Sequence, residues 1–177
     1  DFNPRLSMTL AAFKNTQSSP QVADDDPQTL DVVDSDIEGF EFQVSGQLTH
    51  SLYLTTNYSY LDGEIVDRLG PSGRRLRELP KHMASLWVAY QVSEHWGFGL
   101  GVTYQGKSFA DNSNSARLPA YVRSDLSVYR NISETLRLQL NLENALNQRY
   151  FPNAHSTHQL SVGAPRNLMM TLVGSFK

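Results

Sequence analysis

The sequence predicts an all-β protein, an antiparallel up-and-down transmembrane β-barrel segment of about eight strands. Three observations carry this. Apolar and polar residues alternate with a period of two in eight successive segments, and no stretch holds the i, i+3, i+4, i+7 pattern of a helix for three turns. Several segments exceed the roughly five or six residues usual in globular strands, and reach the roughly 9–11 that a tilted strand needs to cross a bilayer's hydrocarbon core. Short turns and long loops also alternate strictly. In a meander this sends every short turn to one end and every long loop to the other, an asymmetry of outer-membrane barrels that soluble sandwiches have no reason to share.

The first segment covers residues 5 to about 17 and sets Leu6, Met8, Leu10 and Ala12 on one face. The stretch "SSPQVADDDPQ" follows, read as a loop from its two prolines and acidic run. The second segment spans about 29 to 47, with Phe40, Phe42 and Val44 against Glu41, Gln43 and Ser45. After the turn "LTHS", the third runs from 52 to about 66 and alternates Leu52, Leu54, Thr56, Tyr58 and Tyr60 with Tyr53, Thr55, Asn57 and Ser59. The loop "DRLGPSGRRLRE" leads to the fourth, about 79 to 92, whose apolar row is Leu86, Val88, Tyr90 and Val92.

The turn "SEH" opens the fifth segment, 96 to 109, where Trp96, Phe98, Leu100, Val102 and Tyr104 alternate with Gly97, Gly99, Gly101, Thr103 and Gln105. The loop "ADNSNSAR" precedes the sixth, about 120 to 131, with Arg123, Asp125 and Ser127 opposite Ser124, Leu126 and Val128. The turn "ISE" leads into the seventh, where Leu136, Leu138, Leu140 and Leu142 face one way and Arg137, Gln139, Asn141 and Glu143 the other. A long loop from about 147 to 163 separates it from the eighth, 166 to 176, with Leu168, Met170, Leu172 and Phe176 in a row. Aromatics near the strand ends (Tyr58, Tyr60, Trp96, Tyr104, Tyr121 and Phe176) are placed to form girdles at the two membrane interfaces.

The opposite face is polar. Glu41, Arg123, Asp125, Arg137 and Glu143 lie mid-strand across from the apolar rows. A dry core would charge several kcal/mol for each isolated charge, whereas a wet lumen hydrates them and lets them pair between neighbouring strands, Arg123 reaching toward Arg137 or Glu143. The alternate glycines of the fifth segment leave lumen space for a plug or the opposite wall. A one-sided soluble sheet with the charges in bulk water is the competing reading of the same alternation.

Composition removes other classes. The 177 residues carry a net charge of −3, with no basic cluster beyond "GRRLR", so no nucleic-acid partner is expected. The absence of cysteine excludes a disulfide scaffold and a thiolate metal site. No window approaches 18 apolar residues, so there is no transmembrane helix, and "DFNPRLSMTL" lacks the pattern of a signal peptide. "GFGLG" sits within a strand and precedes no helix, so it is not a phosphate loop. His155 and His158 in "AHSTH" have no third ligand to complete a metal site. The acidic run Asp24, Asp25 and Asp26 reads as an outer loop rather than a calcium site. No nucleophile elbow, Ser/His/Asp arrangement or paired-carboxylate site stands out, so no catalysis and no cofactor are expected.

"NLENALNQRYFPNA" and "GAPRNLMMTLVGSF" resemble the C-terminal end of TonB-dependent outer-membrane receptors, especially the siderophore receptors. The matching positions are Asn144, Leu146, Asn147, Arg149, Tyr150 and Phe151, then Gly163, Pro165 and Arg166. "DSDIEGFEFQVSGQLTHSLYLTTNYSYLDGEI", "LPKHMASLWVAYQV" and "LPAYVRSDLSVYRNI" look like earlier strands of the same family. The resemblance implies a 22-stranded barrel around a plug domain, of which this chain would be the C-terminal part, with the plug and earlier strands absent. It implies uptake of a ferric siderophore or similar scarce nutrient, with energy delivered by the TonB complex through that plug region. Outer-membrane lipid would surround the wall. The C-terminal strand, with Phe176 as its terminal aromatic followed here by Lys177, would be read by the barrel-assembly machinery. Tyr150, Phe151, His155 and His158 would be the outer-loop residues that touch the ligand, although Arg149 and Tyr150 could equally shape the loop base. The alternatives are a complete eight-stranded outer-membrane barrel with a structural or adhesion role, and a soluble β-barrel ligand binder.

Overall fold

The computed structural model describes residues 5–22, 30–67 and 70–175. Phe176 and the run Asp24, Asp25 and Asp26 lie outside them. The described chain is β-strand and connection throughout. Four strands open it, β1 (Leu6–Val22), β2 (Leu30–Thr49), β3 (Leu52–Asp67) and the short β4 (Gly70–Arg75). They are followed by β5 (His82–Gln91), β6 (Trp96–Gln105), β7 (Ser108–Phe109), β8 (Arg117–Leu118) and β9 (Tyr121–Asn131). The rest are β10 (Leu136–Glu143), β11 (Ala154–Ser156), β12 (Gln159–Leu160) and β13 (Asn167–Gly174). The wall is an antiparallel meander in the order β1-β2-β3-β5-β6-β9-β10-β13, with β4 folded back on β3. Among the described residues β1 and β13 are its two edges and do not pair with each other, so the described wall is open.

Register turns the period-two pattern into continuous faces. Leu54, Val88, Leu100, Leu126, Leu142 and Leu168 pair in succession across six strands. This row is not covered: Leu100 and Leu126 are each 43 % exposed and Leu168 67 %. Among the described residues the buried apolar side chains are Ile65, Ala110, Leu118, Tyr150 and Ala154, most of them in the loops rather than on this face. A soluble sheet would hide its leucines against a second layer. Here they point outward, as a wall requires when lipid is the solvent. Trp96 and Tyr104, at the two ends of this face on β6, are separated by roughly 26 Å of extended strand, the scale of a barrel's apolar band.

The first and fifth segments differ from the sequence expectation at their ends. β1 continues through Ser18 to Val22, paired with the start of β2 from Leu30 to Asp34, so part of the expected loop is strand. β6 stops at Gln105, after one last in-register bond from Gly106 N to His82 O, and the expected strand end at Ser108–Phe109 pairs instead with Arg117–Leu118. Small hairpins also structure the long connections: β4 against β3, β7 against β8, and β11 against β12.

The glycines of β6 do not leave open space. Trp87 lies across Gly99 and Gly101, where an added Cβ would meet its ring at 2.6 and 2.9 Å, and the Tyr129 ring covers Gly97. Cross-strand register explains this: Trp87 pairs with Gly101, and Tyr129 with Gly97. Tyr121 also departs from its expected place in the outer girdle. It shares the parity of Arg123 and Asp125, and its hydroxyl donates to Gln105 Oε1 at 3.0 Å on the polar face.

Candidate functional site: the loop base above the polar face

The polar face carries a ladder of side chains from the short-turn end to the long-loop end. At the bottom, the Arg137 guanidinium stacks 3.9 Å from the Tyr129 ring centroid, and the Tyr129 hydroxyl donates to Gln91. Trp87 forms the middle rung over its two glycines. At the top, Arg123 donates through Nε and Nη2 to Asp125 Oδ2 at 3.1 and 3.0 Å, and through Nη1 to the Tyr150 hydroxyl at 3.4 Å. The expected partnership of Arg123 with Arg137 or Glu143 does not form. Arg137 pairs with Asn131 at the other end of β9, too far away, and Asp125 is the nearer carboxylate on the same face of the same strand. Glu41 joins this face farther along the sheet, opposite Ser59, and Glu143 ends β10 opposite Asn167.

Asp125 also anchors the last long connection. Its Oδ1 accepts from Asn144 N at 2.8 Å. Asn144 is buried in the left-handed region, at φ 48°, a conformation that asparagine tolerates better than most residues. Its amide donates to the carbonyls of Gln148 and Ala164, both at 2.9 Å, while its Oδ1 accepts from Gln148 N at 2.8 Å. Asn147 is left-handed too, and its Oδ1 accepts from Arg166 N at 3.0 Å. The two asparagines therefore clamp both ends of the connection together. Pro165 lies in the exposed stretch just before this clamp.

Tyr150 is 6 % exposed. Its ring packs tilted against Tyr121, with centroids 4.6 Å apart, and lies so close to Gly163 that a Cβ there would clash with it. The structure thus places Tyr150 inside the loop base. Phe151 is half-buried beside the cluster of Ala110, Leu118 and Ala154, with the Arg149 guanidinium 5.7 Å over its ring. His155 and His158 are exposed on the β11–β12 hairpin. Among the described residues no three metal-ligating side chains converge there or elsewhere.

Two other long connections, those after β4 and after β6, brace this base. Arg77 Nη2 donates to the carbonyls of Ala154 and His155 at 3.3 and 3.1 Å, and Glu78 Oε1 accepts from Ala154 N at 2.6 Å. The "ADNSNSAR" stretch folds into a knob around Asp111, which is 2 % exposed. Its carboxylate accepts from the Ser113 hydroxyl, from Ser115 N and Oγ at 3.0 Å each, and from Ala116 N at 3.0 Å. Asn112 and Asn114 then accept from Arg77 N and Arg75 N at 3.1 and 2.7 Å, which docks the knob onto the β4–β5 connection. These bracing residues were not among the sequence candidates. Their signal is the density of Asn, Asp and Ser, side chains that bond nearby backbone in preference to solvent.

Burial disfavours the charged form of Asp111, but the bonds from Ser113, Ser115 and Ala116 outweigh it and lower its pKa from 3.8 to about 2. A lowered pKa stabilises the fold above the unfolded value, and that contribution is lost as pH falls through the folded value. The knob is therefore expected to keep its full stability above pH 3.8 and lose on the order of 2 kcal/mol as pH falls to about 2. Pepsin cleavage within residues 106–120 should rise over that interval, and in Asp111→Asn it should already be high at pH 4. A flat wild-type profile would contradict the assignment.

The model of the TonB dependent receptor-like β-barrel family matches residues 1–145. The chain is 36 % identical to the metal-pseudopaline receptor CntO of Pseudomonas aeruginosa, over 95 % of this chain and 25 % of that protein. It is 28 % identical to the probable TonB-dependent siderophore receptor PiuA of Acinetobacter baumannii, over 94 % of this chain and 24 % of that protein. The crystal structure of PiuA superposes with a TM-score of 0.81, covering 96 % of this chain and 26 % of that one. The chain thus spans about a quarter of the length of the curated relatives it matches.

Proposed function

From its membership of the TonB-dependent receptor β-barrel family, and so of a family of outer-membrane receptors, we propose that this chain supplies wall and outer loops to a receptor that takes up a ferric siderophore or a similar metal chelate. The observation that carries the reading is the mutual bracing of three long connections (those after β4, β6 and β10) at one end of the wall, above a polar, aromatic-lined inner face. Loops fixed to one another form a preorganised platform, and preorganisation lowers the ordering cost of ligand capture. On this reading His155 and His158 face the ligand, with Phe151 beside them. Tyr150, Arg123, Asp125 and Asn144 position that hairpin from below. Energy would come from the TonB complex acting on a plug region. The edge strand β13 would meet the barrel-assembly machinery.

The test is uptake of radio-iron siderophore complexes by cells carrying the full-length receptor. Uptake should vanish without TonB. His155→Ala combined with His158→Ala should weaken surface binding of the chelate by at least about fivefold, the loss expected of contacts worth on the order of 1 kcal/mol, while outer-membrane assembly is unchanged. Uptake that persists undiminished without TonB would refute energised transport. Unchanged chelate binding would remove the two histidines from the site.

A further inference from the structure

We propose that a cavity at the rim of the apolar face, between the β4–β5 and β6–β9 connections, binds the phosphate group of an outer-leaflet lipid. Its volume is about 300 Å³, and Arg75, Lys81, His82 and Lys107 line it. Among the described residues the acid in ion-pair contact with Arg75, Lys81 or Lys107 is Asp62, which bonds Arg75 and, at 3.0 Å, Lys81. Positive charge is therefore in excess. Two polar atoms of lining residues are buried without a partner, Arg75 Nη2 and Ser108 Oγ, and Ser108 is 4 % exposed. A buried donor with no acceptor is costly. A phosphate has enough oxygens to accept from a guanidinium, a hydroxyl and an ammonium together.

Location selects a lipid over a free anion. His82 pairs with Tyr60, and Tyr104 with Ala84, so both side chains belong to the lipid-facing side. Phe40, Tyr58, Tyr60 and His82 form a contiguous ring cluster there, with centroids between 5.2 and 6.2 Å apart. Such rings mark the level where hydrocarbon gives way to headgroups. The cavity opens at the top of this cluster, on the long-loop side. Leu79, Phe109 and Ala120 add apolar wall against which a lipid's uncharged part can pack. A site with cations beside exposed aromatics suits an amphiphile better than a hydrated ion.

The test uses the full-length receptor in detergent, titrated with diphosphoryl lipid A, its dephosphorylated form and inorganic phosphate, and read by native mass spectrometry. The phosphorylated lipid should bind at least tenfold more tightly than the dephosphorylated one. Lys81→Gln with Lys107→Gln should lose at least tenfold, from about fivefold for each lysine at an anionic lipid surface. Ala120→Trp, which fills the cavity and keeps every charge, should lose the same lipid. Equal binding of the two lipid forms, or wild-type binding by both variants, would overturn the proposal. Displacement of lipid A by an equal concentration of inorganic phosphate would make the cavity a free-anion site and overturn the lipid assignment. Displacement by the ferric chelate would put the cavity on the transport route and overturn it as well. Radio-iron uptake by the same variants separates the two readings, since lost lipid binding with intact uptake concerns this cavity alone.

Discussion

Asn144→Ala is expected to release the connection between β10 and β13 from the wall while leaving the wall itself folded. Three buried side-chain hydrogen bonds disappear at once. The carbonyls of Gln148 and Ala164 and the amide of Gln148 lose their partners in a site where the asparagine is 1 % exposed. Each such group costs about 1–3 kcal/mol when left unpaired, and water admitted by the loosened loop recovers part of it. The net local loss should be about 3–5 kcal/mol. Alanine is also disfavoured at φ 48°. Asn144→Asp is the sharper control. It keeps an acceptor for Gln148 N, but it loses both donated bonds and puts a second carboxylate beside Asp125, whose Oδ1 already accepts from the backbone N–H of residue 144. Both variants should raise hydrogen exchange across residues 145–166 in the full-length receptor, with β9 and β10 protected as in the wild type. Exchange confined to wild-type levels would show that Tyr150 packing, and not the asparagine clamp, holds the loop.

The wall was legible in the sequence because its physics is local. A strand between two solvents writes that boundary into alternate residues, so the row from Leu136 to Leu142 identifies both a strand and its two faces. The loop base was legible only in part. Asn144, Arg149, Tyr150 and Gly163 could be singled out by resemblance, but nothing in their spacing says that Tyr150 is buried against Gly163. The knob around Asp111 and its bonds to Arg75 and Arg77 join residues 35 to 39 positions apart, a distance over which periodicity carries no information. Tyr121 shows a subtler failure. Its position at a strand end suggests a girdle, yet its parity with Arg123 and Asp125 assigns it to the inner face, and parity is the stronger signal. The glycines of β6 depend on register, which no single strand contains. Whether Gly97 borders empty lumen or lies beneath a ring is decided by which residue of β9 pairs with it.

That dependence on a neighbour gives the second large effect a change of sign. Gly97→Ala adds a methyl group where the Tyr129 ring already sits. The ring cannot stay, so the variant loses the hydroxyl bond to Gln91 and the stack with Arg137, whose Nε is buried without a hydrogen-bond partner. Overpacking of this kind costs about 1–3 kcal/mol. In a Tyr129→Ala background the obstacle is gone. There the same methyl group should stabilise the strand by about 0.5–1 kcal/mol, the usual penalty of glycine in a strand interior. The single substitution should therefore lower the unfolding midpoint of the full-length receptor in detergent, and the same change should raise it once Tyr129 is removed. Glycine chosen for lumen space predicts the opposite, a small effect of equal sign in both backgrounds. Such a result would mean that the ring passes over Gly97 without being seated on it. A reversal would establish that β6 is glycine-rich because its neighbours' aromatic side chains occupy its inner face, making the polar wall stiff beneath the loops that it carries.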